Sequence, residues 1–166
     1  MKYLFALIVL FGLGLSTSHA QINWMTWQEA VEANAKAPKK IFVDVYTDWC
    51  GWCKRMDATT FSDKTVAKTI NDNFYAVKLD AEQREGITFK GKLYEFEQQG
   101  RRGAHGLAIE LLQGRMGYPT VVFLDEDINV IQPVPGYQDQ AAMQKMATYF
   151  GKDVYRTTPW NEYEGD

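Results

Sequence analysis

The chain has 166 residues, a formal net charge of −3, and 46% hydrophobic and 23% charged residues. This length suits a single domain, and the composition is that of a globular protein rather than an extended disordered one. The slightly acidic balance gives no basic surface for nucleic acid, so no nucleic-acid partner is expected. Two cysteines, Cys50 and Cys53, are too few for a disulfide-stapled miniature scaffold or a four-cysteine zinc site.

The first twenty residues are typical of a secretory signal peptide. Lys2 precedes an almost unbroken apolar run over residues 3–15, and the small-x-small sequence Ser18-His19-Ala20 follows it. The alternative is a membrane anchor, but a spanning helix needs about 20 apolar residues and this run is shorter. We therefore predict a signal peptide over residues 1–20, cleaved after Ala20. The mature protein would be periplasmic or secreted and would not insert into the membrane.

Apolar periodicity and turn residues predict helices alternating with strands along the mature chain. Thr26 and Glu29 fit a capping box that opens the first helix, which ends before Pro38. Ser62 is a candidate N-cap for the third helix. In chain order, the predicted elements are a helix from residue 27, a strand at 41–46, helices at 51–59 and 63–71, a strand at 74–80, a hairpin within 86–97, a helix at 104–113, strands at 120–124 and 128–131, and a helix at 138–150.

This order of elements predicts an α/β sandwich with a mixed central sheet flanked by helices. The alternation of strands and helices implies parallel pairing, and the two closing strands imply an antiparallel edge. We predict one domain over residues 21–150 and a C-terminal tail over residues 151–166. The tail carries Tyr155, Trp160 and Tyr163, and it is either packed on the domain or mobile.

Cys50 and Cys53 lie just after a predicted buried strand, where the helix at 51–59 begins. At a helix N-terminus, unsatisfied N–H groups and the helix dipole favour a thiolate over a thiol. Residues three apart share one helix face, so the two sulfurs can form a disulfide. The alternatives are a structural disulfide, whose small ring would restrain the chain little, and a metal site. A metal site needs two further ligands, and His105 is the one histidine left after signal removal. We therefore predict no metal, and no cofactor besides a redox-active disulfide.

The segment around the cysteines resembles the active site of the thioredoxin family. Asp44 lies in an apolar strand six residues before Cys50, and Trp49 immediately precedes that cysteine. Tyr118-Pro119 precedes another apolar strand, as the family's cis-proline does. The resemblance covers about residues 25–150 and implies a thioredoxin-like three-layer sandwich. Within the family, Trp-Cys-Gly-Trp-Cys-Lys is most similar to the exported branch related to the C-terminal domain of the transmembrane disulfide reductase.

Two features depart from plain thioredoxin. Trp52 stands where the family has a proline between the cysteines, and residues 86–103 form an extra segment, with the inserted hairpin, before the family's third helix. Arg101 and Arg102 in the predicted loop that ends this segment are interpreted as solvated rather than as an anion site. His105 is interpreted as a helix-start or surface residue rather than a ligand.

The resemblance implies a chemical role for four residues. Cys50 would attack a substrate disulfide, and Cys53 would resolve the mixed disulfide that forms. Asp44, if buried, would have a raised pKa and exchange a proton with Cys53, and the alternative is an ordinarily solvated carboxylate. Lys78 would pair with Asp44 and tune it, or else be a solvated strand lysine.

Five residues are predicted to form the substrate-binding surface. The resemblance implies that Tyr118 offers backbone groups to an extended substrate because Pro119 is cis, and a simple turn is the alternative. Trp49 would pack beside the motif. Trp52 would be partly exposed and contact substrate or tune the redox couple, or alternatively pack in the core. Gly51 completes this surface.

These observations predict an exported thiol–disulfide oxidoreductase that reduces or isomerises disulfides of other envelope proteins. No histidine lies between the cysteines, as one often does in strong oxidases, so reduction is favoured over oxidation. The expected partners are exported protein thiols and disulfides and an unidentified electron donor, and the protein is expected to be a monomer. The alternative is a thioredoxin-fold binding module, in which the hairpin and tail bind a partner protein and redox activity is secondary.

Overall fold

The computed structural model describes residues 21–99 and 102–165. The predicted signal peptide over residues 1–20 therefore lies outside the described residues, as does Arg101, and export stays a prediction. No helix within the two described ranges is long and apolar enough to cross a membrane.

A mixed sheet of five strands forms the centre of the fold. In chain order, the strands of the described residues are β1 (Trp24–Met25), β2 (Lys40–Tyr46), β3 (Phe74–Asp80), β4 (Ile87–Phe89), β5 (Lys92–Tyr94), β6 (Phe96–Gln99), β7 (Arg102–His105), β8 (Thr120–Leu124) and β9 (Val130–Pro135). The central sheet has the order β1-β3-β2-β8-β9. β1 and β2 run parallel to β3, whereas β8 is antiparallel to both β2 and β9. This confirms the predicted mixed sheet with an antiparallel edge, although the short β1 was not predicted.

Helices lie on both sides of this sheet. They are α1 (Trp27–Lys36), α2 (Gly51–Thr59), α3 (Lys64–Asn73), α4 (Gly106–Leu111) and α5 (Gln140–Gly151), followed by two 3-10 helices, Val154–Arg156 and Trp160–Glu162. The predicted capping box of α1 is confirmed. Thr26 Oγ1 accepts a hydrogen bond from the Glu29 N–H at 3.3 Å, and Glu29 Oε2 accepts one from the Thr26 N–H at 2.8 Å.

Aspartate side chains set where two further helices begin. Asp63 Oδ1 accepts a hydrogen bond from the N–H of Val66 at 3.0 Å and so caps α3. The predicted cap at Ser62 is therefore wrong. Asp139 Oδ1 accepts from the Ala142 N–H at 2.8 Å, so α5 begins two residues later than predicted. A carboxylate is favoured at both positions because the helix dipole is positive there.

The segment before α4 contains two hairpins, where one hairpin and a loop were predicted. β4 and β5 pair around Lys90 and Gly91, whose φ angles of 49° and 76° suit a tight hairpin turn, and this confirms the predicted hairpin. β6 and β7 form the second hairpin, in which Ala104 lies opposite Glu97. The predicted loop at 100–103 is therefore wrong for its last two residues, which belong to β7.

His105 marks the boundary between β7 and α4. Its Nδ1 accepts a hydrogen bond from the Leu107 N–H at 3.3 Å, so Nε2 carries the proton that is donated to Glu85 O at 3.1 Å. The predicted helix at 104–113 is shorter in the structure because His105 caps it and the preceding residues pair as a strand. The helix-start interpretation of His105 is confirmed, whereas the surface alternative is wrong because the side chain is fully buried.

The last strand also differs from the prediction, because it begins at Val130 rather than at residue 128. Ile128 has a φ of 59°, and the N–H of Asn129 donates to Asp125 Oδ1 at 2.8 Å, so these residues form the turn between β8 and β9. β9 contains Pro133 and is an edge strand, the place in a sheet where proline is tolerated.

The sheet separates two hydrophobic cores. α1 and α4 pack on the face that carries Ile41, Val43 and Val45, whereas α2, α3 and α5 pack on the face that carries Phe42 and Phe123. Successive residues of β2 alternate between these faces, and the strand is buried along almost its whole length. The predicted three-layer sandwich is therefore confirmed.

The tail packs against the last helix. The Tyr149 ring of α5 contacts the rings of Tyr155, Trp160 and Tyr163 with centroids 5.0–6.4 Å apart. The Tyr149 hydroxyl donates to Thr158 O at 2.7 Å. Of the two alternatives for the tail, the packed one is found for its described residues.

A buried lysine fastens the first residue of β2 to the tail. Lys40 Nζ lies 2.8 Å from Glu126 Oε1 in the β8–β9 turn and 2.9 Å from Asp153 Oδ2 just after α5. These ion pairs join three segments of the chain at one end of the sheet.

We expect Phe42→Ala to lower the free energy of unfolding by about 3–5 kcal/mol, the usual cost of emptying a buried aromatic site. Phe42 is fully buried and its ring contacts those of Phe61, Phe74 and Phe123. Urea unfolding measures the change. Leu93→Ala is the control, because Leu93 is 57% exposed and its loss should change stability by less than about 0.5 kcal/mol. Equal losses in the two variants would contradict the assigned core.

Candidate active site

Cys50 and Cys53 form a disulfide at the N-terminus of α2. Cys50 is the N-cap residue, and its Sγ accepts a hydrogen bond from the Cys53 N–H at 3.1 Å. The N–H of Cys50 in turn donates to Thr47 O at 3.1 Å, which holds the turn between β2 and α2. Both cysteines are buried, at 4% and 3% exposure. In the reduced state, the same N–H and the helix dipole would stabilise a thiolate at Cys50.

A buried carboxyl group lies beneath the helix that carries the cysteines. Asp44 is 1% exposed and shares its sheet face with Phe42, on the side that α2 covers. Lys78 lies opposite Asp44 in the parallel pairing of β2 and β3, and its Nζ is 2.8 Å from Asp44 Oδ2. The predicted pairing is therefore found, and the alternatives of a solvated Asp44 and a solvated Lys78 are wrong.

Lys78 also connects Asp44 to α2. Its ammonium forms a second ion pair with Asp57, which lies one helical turn beyond Cys53. Asp57 was not predicted as part of the site, although its spacing of four residues from Cys53 places both side chains on one helix face. One lysine thus links the buried carboxyl group to the cysteine-bearing helix.

Burial raises the pKa of Asp44 to about 6 from an ordinary value of 3.8, even though the charge of Lys78 lowers it. The negative charge of Asp57 adds a smaller upward contribution. Within the described part of the chain, Asp44 Oδ1 has no hydrogen-bond partner. Burial alone would lower the pKa of Lys78, but its two carboxylate partners raise it, so Lys78 stays charged. Asp44 can therefore gain or lose a proton near neutral pH.

The peptide bond between Tyr118 and Pro119 is cis, as predicted. Pro119 directly precedes β8, whose first residue pairs with Val45 near the end of β2, so this loop lies beside the disulfide. The Tyr118 ring meets the Trp49 ring edge to face at 5.9 Å. Among residues 21–99 and 102–165, no backbone partner is found for the N–H or C=O of Tyr118. These groups can therefore pair with an extended chain.

The two tryptophans of the motif lie on the surface around the disulfide. Trp49 is 66% exposed, and its Nε1 donates to Glu82 Oε2 at 3.0 Å. Trp52 is 57% exposed, so the alternative of core packing is wrong. Its ring lies 5.4 Å from that of Tyr137, and the Arg55 guanidinium lies over both.

Three of these contacts were not anticipated from the sequence. Glu82 and Tyr137 reach the motif from other parts of the chain, and no local pattern marks them. Arg55 follows Trp52 by three residues, a spacing that places both on one helix face. At Gly51, an added Cβ would meet none of the described atoms within 4 Å, so the backbone beside Cys50 is open. The described residues contain no cluster of three or more histidine, cysteine, aspartate or glutamate side chains that could hold a metal ion.

A family model matches most of the chain. The model of the Thioredox_DsbH family, described as a protein of unknown function (DUF255), matches residues 14–155. That range contains every residue of the site and the whole extra segment before α4.

Individual relatives share shorter parts of the chain. An uncharacterized protein of Caenorhabditis elegans, B0495.5, is 34% identical over 118 residues, which are 70% of this chain and 14% of that protein. The thiol:disulfide interchange protein DsbD of Citrobacter koseri is 37% identical over 67 residues, 37% of this chain and 12% of that protein. The chain thus spans about a seventh or less of the length of these relatives.

A solved thioredoxin-fold protein from Helicobacter pylori superposes with a TM-score of 0.57 at 17% identity, covering 76% of this chain and 77% of that one. This similarity confirms the predicted thioredoxin-like fold. Together with the family match and the DsbD relative, it confirms the resemblance to the thioredoxin family and its disulfide-reductase branch.

Asp44→Asn should remove a pH-dependent loss of stability from the oxidised protein. Because the pKa of Asp44 is about 6 when folded and 3.8 ordinarily, its ionisation costs the folded state about 3 kcal/mol. The unfolded chain loses this proton first, so stability falls as pH rises from about 4 to 6. The variant lacks that loss. Relative to the native protein, it should gain about 3 kcal/mol in unfolding free energy between pH 4 and pH 8, measured by urea unfolding. If the difference in unfolding free energy between the variant and the native protein is the same at pH 4 and at pH 8, the raised pKa of Asp44 is contradicted.

Proposed function

This chain belongs to the Thioredox_DsbH (DUF255) family, and we propose that it is a thiol–disulfide oxidoreductase acting through Cys50 and Cys53. The observation that carries the proposal is the Cys50–Cys53 disulfide at the N-terminus of α2, the helix that Lys78 and Asp57 connect to the buried Asp44. A purely structural disulfide would need neither the helix N-terminus nor a carboxyl group whose pKa is raised to about 6.

In the first step, the reduced protein attacks a substrate disulfide. The Cys50 thiolate forms a bond to one substrate sulfur, the substrate S–S bond breaks, and the second substrate sulfur leaves as a thiolate. The Cys53 N–H, which contacts Cys50 Sγ at 3.1 Å, is positioned to stabilise the attacking thiolate. Tyr118 would hold the substrate in an extended conformation through its free backbone N–H and C=O.

In the second step, Cys53 resolves the mixed disulfide. The ionised Asp44 accepts the Cys53 thiol proton, directly or through water, and the resulting thiolate attacks Cys50 Sγ. The intramolecular disulfide re-forms and the first substrate sulfur leaves as a thiolate. Two electrons have then passed from the protein to the substrate, and a dithiol donor must return the pair to the reduced state by the reverse exchange. Lys78 acts as a positioning residue, because it holds Asp44 and limits the rise of its pKa.

We further infer that the protein is exported and acts as a monomer on disulfides of other exported proteins. The support is the signal-like sequence of residues 1–20 and the relationship to DsbD, a thiol:disulfide interchange protein. Disulfides persist in such compartments, so a dithiol couple would find substrates there.

The cysteine roles can be tested by trapping the mixed disulfide. With Cys53→Ser, the intermediate cannot be resolved, so exported proteins should remain covalently bound to Cys50 and be released by dithiothreitol. With Cys50→Ser, few or no adducts should form, because Cys53 lies one turn inside the helix. Non-reducing electrophoresis of both variants measures the difference. Equal trapping in the two variants, or none in either, would rule out the assigned roles.

The redox potential of the couple should lie near that of thioredoxin, about −270 mV, rather than near −120 mV as in a strong oxidant. The reason is electrostatic, since an ionised carboxylate buried beside the cysteines disfavours a second negative charge and so destabilises the reduced thiolate form. Equilibration with glutathione or dithiothreitol buffers measures the potential. A value near −120 mV would reverse the proposed direction.

A further inference from the structure

The Lys78 ammonium is enclosed by three aromatic rings as well as by its two carboxylate partners. Its Nζ lies 5.1 Å from the centre of the Trp24 ring, 4.9 Å from that of Tyr46 and 5.6 Å from that of Phe61. We call these three rings the lysine cage. The Lys78 side chain is 22% exposed, so the ammonium is held mostly away from water. The attraction between a cation and a ring face strengthens as water is removed, so the cage favours a charged and immobile Lys78.

The register of the strands brings the cage together. Trp24 in β1 pairs with Ala76 of β3, and Lys78 lies two residues further along β3, on the same face of the sheet. Tyr46 follows Asp44 by two residues in β2 and so shares its face. Tyr46 adds no charge, because burial raises the pKa of its hydroxyl. The two-residue strand β1 therefore contributes a ring to the ammonium that serves the active site.

The position of this ammonium decides how easily Asp44 ionises. Lys78 Nζ is 2.8 Å from Asp44 Oδ2, and its charge lowers the pKa of a carboxyl group that burial raises to about 6. The side chain of Asp57 is 46% exposed and attracts the same ammonium, so this second partner draws Lys78 toward water. The other titratable groups near Asp44 are Asp57 and, under the proposed function, the Cys53 thiol, whereas Val121, its neighbour in β8, does not ionise.

We propose that Trp24 is a positioning residue of the redox site and that it acts by holding the Lys78 ammonium against Asp44. The proposal rests on the proposed function, because Asp44 takes up the Cys53 proton in the resolving step. With Trp24 present, the ammonium stabilises the ionised carboxylate, which is the form that accepts this proton. Without the indole, Lys78 turns toward Asp57 and water, Asp44 ionises at a higher pH, and less of the base is available near pH 6.

The first test measures the pKa of Asp44 in the oxidised protein by NMR titration of its isotope-labelled carboxyl carbon. Trp24→Leu should raise this pKa from about 6 to about 6.5–7, because leucine has no ring face to hold the ammonium. Trp24→Phe should raise it by less, since tryptophan is the strongest cation-binding ring, and this variant decides the test if Trp24→Leu does not fold. An unchanged or lowered pKa of Asp44 would overturn the proposal.

Trp160→Leu is the matched control for this titration. Lys145 Nζ lies 5.0 Å from the centre of the Trp160 ring, so the variant also removes an indole from a lysine. That pair lies between α5 and the tail, and the pKa of Asp44 should not change.

A double-mutant cycle shows whether Trp24 acts through Lys78. In a Lys78→Met background the ammonium is absent, so Trp24→Leu should no longer change the pKa of Asp44. A general packing defect would change that pKa equally in both backgrounds. An equal change would therefore overturn the positioning role even though the pKa moves in the single variant.

The second test follows the resolving step itself. When the reduced protein is mixed with the disulfide of thionitrobenzoate, attack by Cys50 releases one coloured thiolate, and attack by Cys53 on the mixed disulfide releases the second. Trp24→Leu should slow the second release about two- to fivefold at pH 6 and leave it nearly unchanged at pH 8, where Asp44 is mostly ionised in both proteins. Equal slowing at the two pH values would contradict the positioning role.

The two tests separate this proposal from the function on which it rests. If the pKa of Asp44 moves as expected but no form of the protein releases the second thiolate, the proposed function fails and the positioning of Lys78 by Trp24 stands. If the second thiolate is released and neither the pKa nor the pH profile depends on Trp24, the proposed function stands and the positioning role is wrong.

Discussion

A carboxyl group enclosed between the sheet and helix α2 is the constraint on which the site depends. Asp44 is held there because β2 is buried on both faces, which fixes its register against β3 and β8. That register places Lys78 opposite Asp44, and Lys78 reaches on to Asp57. Removing one partner of a buried ion pair leaves an uncompensated charge, which costs more than the pair itself contributes. Strand β2, Lys78 and helix α2 therefore hold one another in position.

The loop after β3 connects this centre to the extra hairpins. Ala81 donates to Tyr46 O at the end of β2 and accepts from His105 at the base of the β6–β7 hairpin. The next residue, Glu82, holds the Trp49 indole beside the disulfide. A conformational change in the β6–β7 hairpin would therefore reach Trp49, beside the disulfide, through the short loop that follows β3. The reacting groups come from the thioredoxin-like core, whereas the shape of the neighbouring surface comes from the insertion.

Local sequence patterns were enough to predict the site residues whose arrangement is local in the chain. The cysteine pair is identified by its spacing at the start of a helix, Asp44 and Pro119 are identified by the resemblance to the thioredoxin family, and the structure places them as expected. These patterns were not enough where pairing between distant residues determines whether a segment is a helix or a strand. Ala104 fits an apolar helical pattern, yet it lies in β7 because it pairs with Glu97 across a hairpin. The side chains that reach the motif from a distance follow from the register of the sheet, which local periodicity does not encode.

The ion pairs of Lys40 lie at one end of β2, and the cysteines lie beyond its other end. β2 runs from Lys40 to the turn before Cys50, a distance of about 20 Å at the usual rise per strand residue. Asp153, where the chain leaves α5, is anchored at the Lys40 end. Beyond Asp153 the tail turns back along α5, where Lys145 lies against the Trp160 and Tyr163 rings. The ion pairs therefore lock the end of β2 that lies far from the cysteines, and, among the described residues, they leave the reactive end of the sheet free of charged cross-links to the tail.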